Sequence, residues 1–265
     1  MARLVAMGPR SSGSSVLLGR SRVGRAVYPG GGDLGYIAHV ATRNSAGPRF
    51  ENAVGELLRA LSLETSKEAE GRLARYLSLV EHWGARMDLT AARSREELLD
   101  LSLADAAVLA REELGGAGCP ERWVDVGTGG GAPGIPLLIL LGAARPQVSG
   151  TLVEPRTKRV AFLRSCVGEL GLEGVDVVRA RSEVLPDRSA GAAVARATLP
   201  PPEWLTEGTR LATDAVWVLL AREAPPLREG WVVERDVRYV WPFTKAERRA
   251  LRYVPAEGRT AATGA

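Results

Sequence analysis

Between Glu68 and Thr90, in EAEGRLARYLSLVEHWGARMDLT, apolar residues recur every three or four positions. Leu73, Tyr76, Leu77, Val80, Trp83 and Met87 therefore share one face of a predicted helix. SREELLDLSLADAAVLAREEL, from Ser94, predicts a second helix with Ser94 as N-cap and Glu97 at the capping-box position. After Cys119 the period changes, because short apolar runs typical of strands now alternate with helical patterns. WVDVG, GTLVE, VDVVRA, AAVARA and AVWVLLA read as five strands, with helices beginning at GIPLLILLGAA and TKRVAFLRSCVGELG. WVVERDVRYVW and RALRYVP then form a late pair that closes the sheet. Alternation of this kind predicts a mostly parallel sheet covered on both faces.

The first strand runs into VDVGTGGGAPGIP, whose glycines imply a close-approaching ligand, since a bare turn needs only one or two. From Gly129, GGGAPG satisfies the G-x-G-x-x-G dinucleotide fingerprint. From Asp125, DVGTGGG is the acid-x-G-x-G-x-G loop of many S-adenosylmethionine (AdoMet) methyltransferases. Without G-K-[ST] it is not a nucleoside triphosphate P-loop. Glu154 ends the second strand, where an acid accepts hydrogen bonds from ribose hydroxyls in either class. Ser182 and Glu183 follow the third strand, where an AdoMet fold presents a polar pair to adenine and a nicotinamide enzyme requires nothing.

Composition narrows the chemistry further. The 265 residues are 45% apolar, enough for a substantial core. The longest apolar run near the loop, Ile135 to Leu141, is far below the roughly 20 residues of a membrane span. Two separated cysteines, Cys119 and Cys166, and two histidines, His39 and His82, argue against a disulfide framework, a zinc site or a catalytic triad. The net charge of +4 is unevenly placed: residues 1–50 carry seven arginines and one acid, whereas 51–265 carry 28 basic and 30 acidic side chains. The basicity thus belongs to an Arg/Gly/Ser-rich leader, expected to be disordered, with an RNA-touching arm or a presequence as alternatives. The expected organisation is a leader (1–50), a helical cap (51–118), a cofactor-binding Rossmann-like domain (119–256) and a disordered tail (257–265).

HWGARMDLTAAR, VDVGTGGGAPGIP, LVEPRTKRVAFLR, RSEVLP and VARA occur in this order. Together they resemble the RsmG (GidB) family, bacterial methyltransferases that modify N7 of a guanine in small-subunit (16S) rRNA. The resemblance covers roughly residues 70 to 225. It implies an α/β, Rossmann-like AdoMet methyltransferase fold, a mostly parallel sheet with an antiparallel last strand, preceded by a small helical cap. It further implies that Gly127, Thr128, Gly129, Gly131 and Ala132 form the cofactor loop, that Glu154 holds the ribose, and that Ser182 and Glu183 flank the adenine. Arg196, in VARA, would stand beside the meeting point of cofactor and base as the catalytic candidate. No metal is implied; the partner is rRNA or an assembling small subunit, and the protein is expected to be a cytoplasmic monomer.

Arg156, Lys158, Arg159 and Arg222 are candidates for RNA contact, although a solvated helix face accounts for the first three equally well. The chain departs from the family pattern at Asp88-Leu89-Thr90 for N-L-T, at Ser102 for the histidine of H-x-x-D-S, which keeps Asp105, and at Arg222-Glu223 for lysine and glycine. PPPEW, Pro200 to Trp204, is expected to be a rigid loop with Trp204 packed. The departures keep open a catalytically degenerate rRNA-binding or assembly protein, and the alternative glycine count keeps open a nicotinamide-dependent oxidoreductase.

Overall fold

The computed structural model describes residues 50–116 and 118–256. Residues 1–49 of the leader and the 257–265 tail lie outside the described residues. Helices α1 (Glu51–Ala60) and α2 (Lys67–Gly84) open the cap. A third segment follows as α3 (Arg95–Leu99), a π-helical turn (Asp100–Ala104) and α4 (Asp105–Leu114) in unbroken succession. The expected helix from Ser94 is present, but its middle is wound in i→i+5 form, which the apolar period does not reveal. Ser94 caps it by accepting the Glu97 N–H (3.1 Å), while Glu97 accepts the N–H of Arg93 (2.6 Å), one residue before the position a capping box uses.

The rest is a seven-stranded sheet: β1 (Arg122–Val126), β2 (Ser149–Val153), β3 (Val175–Val178), β4 (Ala190–Ala195), β5 (Ala212–Leu220), β6 (Trp231–Val240) and β7 (Glu247–Pro255). Their order is β3-β2-β1-β4-β5-β7-β6. The first five are parallel, and β7 is antiparallel to both β5 and β6. Reversal of strand order beside β1 creates the crevice at the carboxyl ends of β1 and β4 where open α/β sheets hold ligands.

Two cores fill the two faces. Trp123, Leu152, Val194 and Trp217 point toward the cap and α5 (Gly134–Ala144). Val124, Val153, Ala193 and Val216 point toward α7 (Pro201–Leu211). Between sheet and cap, α5 is buried at every position from Gly134 to Leu141, which explains why IPLLILL is apolar on all sides rather than along a stripe. Helix α6 (Thr157–Glu169) buries Val160, Phe162, Leu163 and Cys166.

The expected loop at PPPEW is instead the start of α7. Pro201 and Pro202 occupy its first positions, where a missing N–H costs nothing and the fixed φ suits a helix. Trp204 is buried as expected, and its indole N–H donates to the Trp217 carbonyl (2.8 Å).

Candidate active site

Asp125 shares the α5-facing side of β1 with Trp123, and the loop after the strand folds back over it. Its Oδ2 accepts the Thr128 hydroxyl (2.6 Å) and the Gly134 N–H at the start of α5 (2.8 Å). Its Oδ1 is buried and has no hydrogen-bond partner among the described residues. Burial pushes the carboxyl up to about 6, against the pull of the Thr128 and Gly134 donors.

Gly127 and Gly129 serve this loop differently. Gly127 has φ +67° and a Cβ position 2.4 Å from the Thr198 side chain, so both conformation and packing require glycine. Gly129 has φ +60°, and the nearest atom to its Cβ position is Arg159 Nη1 at 3.6 Å. Its open side faces the cleft that the loop lines.

Glu154, the residue after β2, is 3% exposed. It accepts the Gly129 N–H on Oε2 (3.1 Å) and the Arg156 N–H on Oε1 (2.9 Å), with Arg159 Nη1 at 4.0 Å. The carboxylate therefore ties the glycine loop to the start of α6. Each oxygen retains acceptor capacity.

Opposite the loop stands the cap. A cleft of about 270 Å³ is lined by Gly127 to Gly130 and Ala132 on one side and by Tyr76, Thr90, Leu101 and Ser102 on the other, with Arg159 and Arg196 at its edges. The Tyr76 hydroxyl donates to the Gly130 carbonyl (2.8 Å), and burial raises its pKa so that it stays a donor. Arg159 donates through Nη2 to the Asp88 carbonyl (2.8 Å), fixing the Asp-Leu-Thr segment against the loop. Arg196 follows β4 and donates through Nη1 to the Leu101 carbonyl, with the Asp105 carboxylate at 3.4 Å.

The structure thus brings together Gly127, Thr128, Gly129, Ala132, Arg159 and Arg196 around one cleft, with Glu154 behind the loop. Gly131 is buried against Ile135 rather than lining the space. Ser182 and Glu183 belong to a separate cavity of about 410 Å³ shared with Leu199 and with Pro202, Glu203, Thr206 and Glu207 of α7. Within it, the Arg210 guanidinium holds the Glu207 carboxyl below its usual range, with further help from the Ser182 hydroxyl and against burial. Arg156 and Lys158 are exposed at the start of α6, and Arg222 is exposed after β5.

The sequence pattern points to no site role for Tyr76 or Thr198. Tyr76 was visible only as part of an apolar helix face. Thr198, whose hydroxyl donates to the Val126 carbonyl (3.0 Å), carried no signal at all.

The GidB family model, described as rRNA small subunit methyltransferase G, matches residues 69–221. The chain belongs to this family. The matched span runs from α2 to the end of β5 and contains the glycine loop, Glu154 and Arg196. Among curated relatives named ribosomal RNA small subunit methyltransferase G, the Neisseria meningitidis serogroup C / serotype 2a protein is 37% identical over 73% of this chain and 93% of its own. The Halorhodospira halophila relative is 39% identical over 63% of this chain and 76% of its own. A solved Klebsiella pneumoniae protein thought to be an O-methyltransferase shares the fold with a TM-score of 0.52 at 14% identity, covering 77% of this chain and 97% of that one. Family membership removes the support for a nicotinamide oxidoreductase, which rested on the glycine count alone. Ser102 is buried and lines the cleft.

Proposed function

We propose that this protein transfers the methyl group of AdoMet to N7 of a guanine in small-subunit rRNA. The observation that carries the reading is the cleft in which the glycine loop faces Arg196 and the cap. The residues present fit the cofactor: Gly129 opens toward the cleft, Glu154 keeps acceptor capacity for ribose hydroxyls, and the Asp125 Oδ1 beneath the loop has no hydrogen-bond partner among the described residues. Bound AdoMet supplies an electrophilic methyl group on a sulfonium. Gly127, Thr128, Gly129, Ala132 and Glu154 hold it, with Gly131 shaping the loop from beneath.

Guanine N7 carries a lone pair and no proton, so its methylation needs alignment rather than a general base. The cleft suits that requirement: among the described residues its lining is backbone, Thr90, Ser102, Tyr76, apolar side chains and two arginines, with no histidine or carboxylate. Arg196 can donate to the acceptor edge of a guanine at O6, leaving N7 open to the methyl donor. Arg156, Lys158, Arg159 and Arg222 supply phosphate contacts. Ser182 and Glu183 serve the adenine end across the α7 cavity. In this reading residues 51–118 cap the site, 119–256 form the cofactor domain, and the protein works as a cytoplasmic monomer on rRNA or the assembling subunit.

The test is methyl transfer from labelled AdoMet to small subunits from a strain lacking the modification, followed by mapping of the base. Incorporation at a guanine N7 is expected. AdoMet binding without incorporation would instead favour an rRNA-binding protein in which Ser102 has ended catalysis.

A further inference from the structure

The π-helical turn connects the cleft to a part of the chain outside the family-matched span. An i→i+5 winding brings Asp100 and Asp105, at its two ends, close to one face. Both carboxylates serve the β6–β7 hairpin. Asp100 Oδ2 accepts the Thr244 N–H (2.7 Å), the Thr244 hydroxyl (2.7 Å) and the Phe243 N–H (3.2 Å), closing the hairpin turn. Asp105 Oδ1 accepts the Tyr239 hydroxyl (2.7 Å) and the Trp241 indole N–H (2.9 Å). Its Oδ2 faces Arg196 Nη1 at 3.4 Å, and the same nitrogen donates to Leu101 O in the turn.

Arg196 is therefore held by one carbonyl of the π turn and by the carboxylate of Asp105, the first residue of α4 after it, and that carboxylate is immobilised from behind by Tyr239 of β6 and Trp241 just beyond its end. An arginine side chain has substantial rotamer entropy to lose in holding one orientation. A fixed anion beside Nη1 reduces that freedom before any substrate arrives, and leaves Nε and Nη2 for the cleft that Arg196 lines. We infer that Asp105, locked by Tyr239 and Trp241, is a positioning residue that pre-orients the Arg196 guanidinium for the target base. This rests on the reading of the cleft as the meeting point of base and methyl donor.

Asp105→Asn tests the role with little change in shape. The two donors on Oδ1 retain the amide oxygen, so the amide nitrogen turns toward Arg196, two donors meet, and the guanidinium loses its anion. With AdoMet and small subunits both saturating, kcat is expected to fall roughly ten- to hundredfold, the scale of a misplaced positioning group. AdoMet affinity should stay within about threefold, since Asp105 does not touch the glycine loop in the hydrogen-bond network. Tyr239→Phe, which removes one hydroxyl, should give a smaller loss in the same direction. In an Arg196→Ala background, Asp105→Asn should have no further effect on kcat, because the group it positions is gone.

Equal losses in both backgrounds, or no loss in the wild-type background, would overturn the assignment. A readout independent of turnover is the ¹⁵N spectrum of the Arg196 guanidinium, identified by its absence in Arg196→Ala. Restricted rotation of its Nη groups should be present in the wild type and lost in Asp105→Asn and Tyr239→Phe, with backbone spectra preserved. Unchanged guanidinium order in both variants would refute positioning. Wild-type protein that incorporates no methyl would refute the proposed reaction while leaving this spectroscopic test intact.

Discussion

The two sides of the cleft bury carboxylates for opposite purposes. On the glycine-loop side, Asp125 has one oxygen committed to Thr128 and Gly134 and one with no partner among the described residues, and Glu154 accepts a single backbone N–H on each oxygen. On the π-turn side, Asp100 and Asp105 have five donors from the β6–β7 hairpin between them: two N–H groups and a hydroxyl on Asp100, a hydroxyl and an indole N–H on Asp105. Burial and the adjacent Asp105 raise the Tyr239 pKa well above its usual value, keeping that hydroxyl a donor. One side retains polar capacity for a ligand; the other has consumed it in building a frame. Damage to the frame should therefore appear as lost stability or kcat, and damage to the loop as lost cofactor affinity.

The strongest way to break the contrast is in the frame behind the cleft. Glu113, at the end of α4, accepts the Trp217 indole N–H (2.7 Å) and Arg252 Nε (2.8 Å) in a fully buried setting. Glu113→Ala strands the indole and leaves Arg252 with Glu234 as its acid partner. Removing one partner of a buried pair costs 3–5 kcal/mol, and because Arg252 keeps Glu234 at 2.6 Å the expected loss is about 4 kcal/mol. Urea unfolding measures it, and AdoMet affinity of the folded fraction should be unchanged. A stable variant with weakened AdoMet binding would reverse the roles assigned to the two sides.

Asp125 supplies the next test through pH. Its folded pKa of about 6 lies above the ordinary 3.8, so between those values the folded state holds a proton the unfolded chain has released. Stability from this group is fully present below pH 3.8 and is lost as pH rises through about 6. Asp125→Asn does not titrate, so it should gain on the wild type by up to about 3 kcal/mol between pH 4 and 7.5. Parallel stability curves across that window would show that the loop side is as fully compensated as the frame.

Gly129→Val addresses the ligand directly. A side chain there projects into the cleft from a backbone at φ +60°, which adds strain to steric exclusion. AdoMet affinity measured by calorimetry should fall at least about a hundredfold, or roughly 2.7 kcal/mol. Retained affinity would mean that the cofactor does not approach this glycine.

The same contrast explains what the sequence disclosed. The loop side is written in contiguous residues, because a backbone that approaches a ligand must use glycine locally; VDVGTGGG and the acid of TLVEP were legible for that reason. The frame is assembled from side chains far apart in sequence: Arg196 meets Leu101 across 95 residues, and Trp241 meets Asp105 across 136. No spacing rule reports such pairs, and the π turn that makes them possible keeps an ordinary apolar period. Helix α7 is hidden in the sequence for a local reason, since three prolines read as a loop until the first turn is allowed to hold two of them.

Tyr76 sits where the two sides touch. It belongs to the cap by packing, yet its hydroxyl ends on the loop carbonyl of Gly130. Tyr76→Phe leaves the ring in place and removes a single buried donor, so the expected stability loss is about 1 kcal/mol. A loop released from this contact must be ordered by the ligand itself, so AdoMet affinity should drop by about fivefold, less than for Gly129→Val, while kcat at saturation stays near wild type. A fall in kcat with unchanged affinity would instead place Tyr76 with Asp105 and Arg196, as part of the machinery that aligns the base.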